Sequence, residues 1–238
     1  MATWVTHLMI ADRVLEAMPT LDRRGFCVGS IAPDCNVENE DWTQFVPSRE
    51  TTHWMSGDRK SAADCERFRD AYIARSRREG AADGGQELSF LLGYYAHLIA
   101  DAEFQRFIDD AGRVASMWAR IKAHPALSRR AEGLAEDWPS AKRLIGKAEI
   151  WKDIYAIEAG YLDGHPDSGY LTEILGLESF PDYLPYLPRG AIVRKIGVMG
   201  YMPGKEAGAF PFAAISGEEY AAFLDAATEQ VIRGIERG

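Results

Sequence analysis

The stretch Leu88 to Ile108, LSFLLGYYAHLIADAEFQRFI, most constrains this fold. It is long, strongly apolar and free of proline, so it predicts a buried helix rather than a strand. Phe90, Tyr94, His97, Asp101, Phe104 and Ile108 recur at steps of three and four and share one face. A histidine and an aspartate stand in the middle of that apolar face, four residues apart. A bare carboxylate among aromatics is costly, so Asp101 requires a cation, a metal or a hydrogen-bond network.

The chain has 238 residues, enough for a substantial core. A net charge of −9 argues against a broad nucleic-acid-binding face. Three cysteines, Cys27, Cys35 and Cys65, form no C-x-x-C pair, which fits a reducing, cytoplasmic setting. The first residues show no basic region followed by an apolar core, and no run of about 18 apolar residues occurs. Neither export nor membrane spanning is expected.

Thr3 is the expected N-cap of a helix from Trp4 to about Met18, ended by Pro19. His7 stands at the edge of its apolar stripe, where a partly buried core histidine is the simplest expectation; Asp12, Arg13 and Glu16 face water. Residues 25–31 form a short apolar helix, and Pro33 forces a turn that leaves Asp34 at its end, in the position of an Asx-turn or a cap. The polar residues 36–50 read as a long loop closing at Thr51-Thr52-His53-Trp54, where His53 is equally a surface residue or a ligand. Residues 61–78 are an amphipathic helix with a solvated basic end, and 81–85 a linker. Further helices are expected at 112–123, 126–136, 140–161 and 191–202. The segment 164–215 is irregular and rich in loops, its first part a candidate lid. A last helix opens with the capping box Ser216-x-x-Glu219. No period-two strand pattern and no internal repeat is present. The expected architecture is all-α and multihelical, one domain over residues 1–238.

Each polar residue alone has an ordinary structural explanation; together they form a series. His7, Asp34, His53 and the pair His97-x-x-x-Asp101 all fall in the first 101 residues. Imidazole nitrogens with carboxylate oxygens suit zinc or a similar divalent metal. His124, before a proline, and His165, in a Gly/Pro loop, are assigned structural or surface roles.

TWVTHLMIADRVLE, GSIAPD, TTHW and GYYAHLIAD, in that order, resemble the zinc-dependent phospholipase C / phospholipase D-domain family. More distantly they resemble the P1-type nucleases that share its helical fold. The likeness covers roughly the first 110 residues and is nearest to small leaderless bacterial members, with Asn39-Glu40-Asp41-Trp42 as their polar loop. The resemblance implies that Asp34, His53, His97 and Asp101 bind one zinc. It implies that His7 binds a second, with Asp101 shared between them. It implies hydrolysis of a phosphate ester by a metal-activated water, on a small phosphoester or a lipid head group, with Asp34 or a loop acid taking the proton.

The resemblance also has gaps. The secreted relatives use the amino group of an N-terminal tryptophan, whereas Trp4 is internal here. They place a further histidine and a second His-x-x-x-Glu/Asp pair after the central helix, and neither His124 nor His165 begins such a pair. One or two ions are therefore expected rather than three. Asp153 and Glu158, five apart, are weak substitutes. A non-catalytic protein that keeps the fold and a structural or vestigial metal is the alternative. An HD-type phosphohydrolase is disfavoured because the chain has no His-Asp dipeptide.

Overall fold

A computed structural model describes residues 2–57, 62–78 and 84–237. Eleven α-helices and one two-stranded ladder are found among them. The all-α, multihelical expectation is met.

Chain contacts divide the protein into two compact units. The first comprises Met1–Glu103, Pro166–Tyr201 and Ala226–Gly238. In it α1 (Trp4–Ala17) begins on the Thr3 cap, whose hydroxyl accepts from the Thr6 amide at 3.1 Å. The α2 helix (Arg23–Gly29) begins on Asp22, which accepts from the Gly25 amide at 2.7 Å. A 3-10 turn, Ala32–Asp34, follows, then β1 (Val37–Glu38), β2 (Phe45–Val46) and α3 (Arg49–Thr52). After α4 (Ala62–Phe68) the chain passes through a π turn, Arg69–Ile73, into α5 (Ala74–Arg78). Ser61 and the linker residues 81–83 lie outside the described residues.

The central helix is α6 (Gln86–Asp109). Every residue from Leu88 to Ala102 is buried. It is enclosed on all sides rather than along one stripe, which explains why its apolar residues are not confined to a single face. Its neighbour α2 lies in backbone contact with it. A Cβ added at Gly29 would stand 2.1 Å from the Phe90 carbonyl oxygen, and one at Gly93 2.1 Å from that of Phe26. Phe26, Val28, Ile31, Phe68, Phe90 and Tyr94 fill the surrounding core. The unit also holds α10 (Ala191–Met199).

The second unit comprises Phe104–His165 and Met202–Asp225. It contains α7 (Ala111–Ala123), α8 (Trp138–Ile145) and α9 (Lys147–Gly164) around Met117, Trp118, Ile121, Ile154 and Phe223. The final helix, α11 (Gly217–Glu236), opens with the expected capping box: the Ser216 amide donates to Glu219 Oε2 at 3.0 Å, and the Glu219 amide to Ser216 Oγ at 3.1 Å.

Several local expectations need correction. The polar segment 36–50 contains an antiparallel ladder pairing Val37 with Val46 and Glu38 with Phe45. Two residues per strand are too few to show a period. Residues 126–136 form turns and a single 3-10 turn, Arg129–Ala131, rather than a helix. The expected 140–161 helix is two helices, broken at Gly146 with φ +99°. Pro139 stands in the first turn of α8. Asp12 is buried: its Oδ1 accepts from the Gly169 amide at 2.9 Å and from Arg23 at 3.1 Å. A segment about 150 residues downstream covers it, which helical periodicity cannot reveal.

Candidate metal centre

Four separate segments of the first unit bring five side chains together. His7 comes from the second turn of α1, Asp34 from the end of the 3-10 turn and His53 from the C-cap of α3. His97 and Asp101 come from one face of α6. His53 Nε2 lies 3.3 Å from Asp34 Oδ1, 3.3 Å from His97 Nε2 and 3.7 Å from Asp101 Oδ2. His97 Nε2 lies 3.5 Å from that same Asp101 oxygen. The other oxygen of Asp101 lies 3.7 Å from His7 Nε2 and accepts from the Ala2 amide at 3.1 Å. The rings of His7 and His97 stack with centroids 3.8 Å apart.

The tautomers follow from the surroundings. His97 Nδ1 stands 2.8 Å from the Ser30 carbonyl oxygen, and His53 Nδ1 3.2 Å from that of Arg49. A carbonyl only accepts, so in the neutral His97 ring Nδ1 holds the proton and Nε2 presents a lone pair; His53 Nδ1 also lies 3.0 Å from the Thr52 hydroxyl, and the ring takes the same tautomer when it donates to the Arg49 carbonyl. Two such lone pairs 3.3 Å apart, beside two carboxylate oxygens, repel one another unless a cation lies between them. Ligand atoms of tetrahedral zinc, each about 2.0–2.1 Å from the ion, lie roughly 3.3 Å from one another. The separations of His53 Nε2 from Asp34, His97 and Asp101, and of His97 Nε2 from Asp101, lie at 3.3–3.7 Å, near that value. Backbone carbonyls behind metal-bound imidazoles are the usual way such rings are oriented.

Two groups of three could hold an ion: Asp34, His53 and His97, and His7, His97 and Asp101. They share His97, while Asp101 turns one oxygen toward each side. Four of the five side chains are almost wholly enclosed; Asp34 alone keeps 14% of its side chain exposed, so it marks the open side.

The chain around the site is held by contacts that motif reading did not find. The Tyr94 hydroxyl, one turn before His97, donates to the Thr52 carbonyl and fixes the residue preceding His53. Ser30 and Arg49 orient histidines through backbone atoms, which no side-chain pattern could signal. The Cys35 thiol, next to Asp34, donates to the Ile31 carbonyl at 3.4 Å, and burial and then the Asp34 charge push its pKa far up. Burial of this kind favours the thiol over the thiolate.

Glu38, on the hairpin joining Asp34 to α3, is clamped to α10. Arg194 reaches its two oxygens at 2.6 and 3.2 Å, and the buried Lys195 ammonium lies 2.5 Å from it. The hydrogen bond from Arg194, then that from Lys195, holds the carboxyl down to about 2. Because the folded value is depressed, the stabilisation is complete above the ordinary carboxyl value of about 4.3 and is lost as pH falls toward 2. Glu38→Gln leaves a buried ammonium short of its counter-charge and is expected to cost about 1–3 kcal/mol at pH 7. Urea midpoints measured from pH 7 to pH 2 check this. The wild type should lose its advantage across that acid window, and an equal acid slope in both proteins would contradict the assignment.

Residues 6–103 match the family described as zinc dependent phospholipase C. This supports the resemblance read from the sequence. The matched region is less than half of the chain and contains all five clustered side chains. Searches of the curated proteins and of the solved structures gave no significant match. The family match points to metal-dependent hydrolysis of a phosphoester, and its name implies zinc. No described helix is long and apolar enough to cross a membrane.

The histidines assigned elsewhere make local contacts in the second unit. His124 Nδ1 accepts from the Ala126 amide at 3.2 Å, and His165 Nδ1 lies 2.8 Å from the Tyr161 carbonyl oxygen. Asp153 accepts from the Gly208 and Phe212 amides, both at 2.9 Å, and so ties down a loop. Neither it nor Glu158 falls in a possible metal-holding group among the described residues.

Proposed function

We propose that this protein is a metal-dependent phosphoric ester hydrolase in which Asp34, His53, His97 and Asp101 hold one zinc and His7 with Asp101 serves a second. The observation that carries this is the convergence of two imidazole lone pairs and two carboxylate oxygens at 3.3–3.7 Å. When bound, zinc supplies Lewis-acid polarisation of a phosphoryl oxygen and lowers the pKa of its water. The protein's own residues do the rest. Ser30 and Arg49 carbonyls hold the two rings in register. Burial of His7, His97 and Asp101 keeps bulk water from the inner side. Asp34, at the open side, accepts the proton of the attacking water.

Among the nearby loop acids, Glu38 is committed to Arg194 and Lys195. Hydrogen bonds from Thr43 lower the pKa of Asp41, making it a poorer base. Asp34 is taken for the role because it is the one member of the cluster with an exposed side. The substrate in this reading is a small phosphoester or lipid head group, the protein is cytoplasmic, and residues 1–238 act as one domain.

The test is metal content joined to turnover. The purified protein should carry stoichiometric zinc and hydrolyse at least one member of a broad phosphoester panel. Chelation should abolish turnover, zinc or manganese should restore it, and His53→Ala should lower it by at least a thousandfold. Removing one member of a unit of cooperating groups commonly costs that much. Absence of stoichiometric divalent metal sinks the proposal. Stoichiometric metal without any turnover above His53→Ala means a non-catalytic protein that keeps the site.

A further inference from the structure

Arg49 stands beside Asp34, the one partly exposed member of the His/Asp cluster. Its backbone carbonyl accepts from His53 Nδ1, but its side chain has no such commitment. Among the described residues the guanidinium makes no hydrogen bond, and its ion-pair partner is Asp34 Oδ1 at 3.9 Å. That distance is at the loose limit of an ion pair, and 38% of the side chain is exposed. The contrast with Arg194, which grips Glu38 with two nitrogens, is plain. A half-exposed guanidinium held loosely beside the one solvent-facing member of a buried His/Asp cluster is poorly explained as a structural contact. Exposed pairs of this kind add little to stability.

We infer that Arg49 is a substrate-binding residue whose guanidinium takes two non-bridging oxygens of the phosphoryl group. This rests on the metal-hydrolase reading. The chemistry matches: a guanidinium presents parallel N–H donors in a planar fork, and a phosphoryl group offers paired oxygens at the same spacing. The charge balance matches as well. Once Asp34 serves a divalent ion, its hold on Arg49 weakens and the guanidinium can turn to an incoming anion. The backbone role at residue 49 is independent of its side chain. Arg49→Ala therefore removes the proposed contact and leaves the His53 acceptor in place.

The experiment uses zinc-loaded full-length protein and two probes, inorganic phosphate and dimethyl phosphate, the second standing for a diester linkage. Zinc stoichiometry is measured first, and anion affinity then by calorimetry. Arg49→Ala is expected to keep its zinc and helix content and to bind at least one probe tenfold or more weakly. Arg49→Lys, which keeps the charge but not the fork, should recover only part of the loss. Unchanged affinity in Arg49→Ala overturns the inference. So does loss of zinc in that variant, which would give the side chain a metal-organising role instead. Zinc-loaded wild type that binds neither probe overturns the inference while leaving the metal site standing. Wild type without zinc overturns both.

Discussion

Replacing His97 by alanine is expected to abolish stoichiometric zinc binding altogether. His97 belongs to both groups that could hold an ion, and although its single Nε2 lone pair serves one ion at a time, either group is left with two side chains without it. Losing a hydrogen-bond partner behind a ligand costs about 10–100-fold in metal affinity, and losing the ligand itself must exceed that. Affinity should therefore fall by more than 100-fold, measured by competition with a chromogenic chelator. His7→Ala supplies the comparison, because it touches one group only and should leave one ion in place. The two variants thus separate a shared site from two independent ones. Equal zinc content in wild type and His97→Ala would remove the basis for the proposed function. The metal-free stability of both should be recorded too, since truncating a buried ring leaves a cavity whatever its ligand role.

The central helix and its polar pair were legible because both depend on local spacing. Apolar residues at steps of three and four, with His97 and Asp101 four apart, place the pair on one face wherever the helix packs. The Thr3 and Ser216 caps were legible for the same reason. The break between α8 and α9 was not, because Gly146 lies within an otherwise helical pattern. Only its positive φ distinguishes it from a tolerated glycine.

The site was legible in its members but not in its supports. His7, Asp34, His53, His97 and Asp101 could be named from residue type, order and family likeness. Their distances to one another depend largely on contacts between separate segments, such as His53 with His97 and Ala2 with Asp101. The carbonyls of Ser30 and Arg49 orient two rings without using a side chain at all. Arg49 looked like one more polar loop residue, and Asp12 like a solvated one. For Asp12 and for the Ser30 carbonyl the deciding contact comes from a segment remote in sequence, which periodicity does not encode; for Arg49 the contacts are nearer but depend on how the loop folds back.

Gly93→Ala is expected to be among the most damaging single-methyl changes at the described residues, costing about 3 kcal/mol or more. Adding carbon to a tight interface commonly costs about 1–3 kcal/mol by displacing side chains. Here the obstruction is backbone. The new Cβ would stand 2.1 Å from the Phe26 carbonyl oxygen, and the reciprocal change at Gly29 would meet that of Phe90 at the same distance. Neither oxygen can turn away without loosening helix α2 or α6, so the helices must separate. That separation also moves the Ser30 carbonyl from His97, since Ser30 caps α2. Stability and metal affinity should therefore fall together in Gly93→Ala. Urea denaturation of the metal-free protein and zinc titration below its midpoint measure the two effects apart. A variant as stable as wild type would refute the backbone contact. A destabilised variant with wild-type zinc affinity would show that α2 does not set the angle of His97.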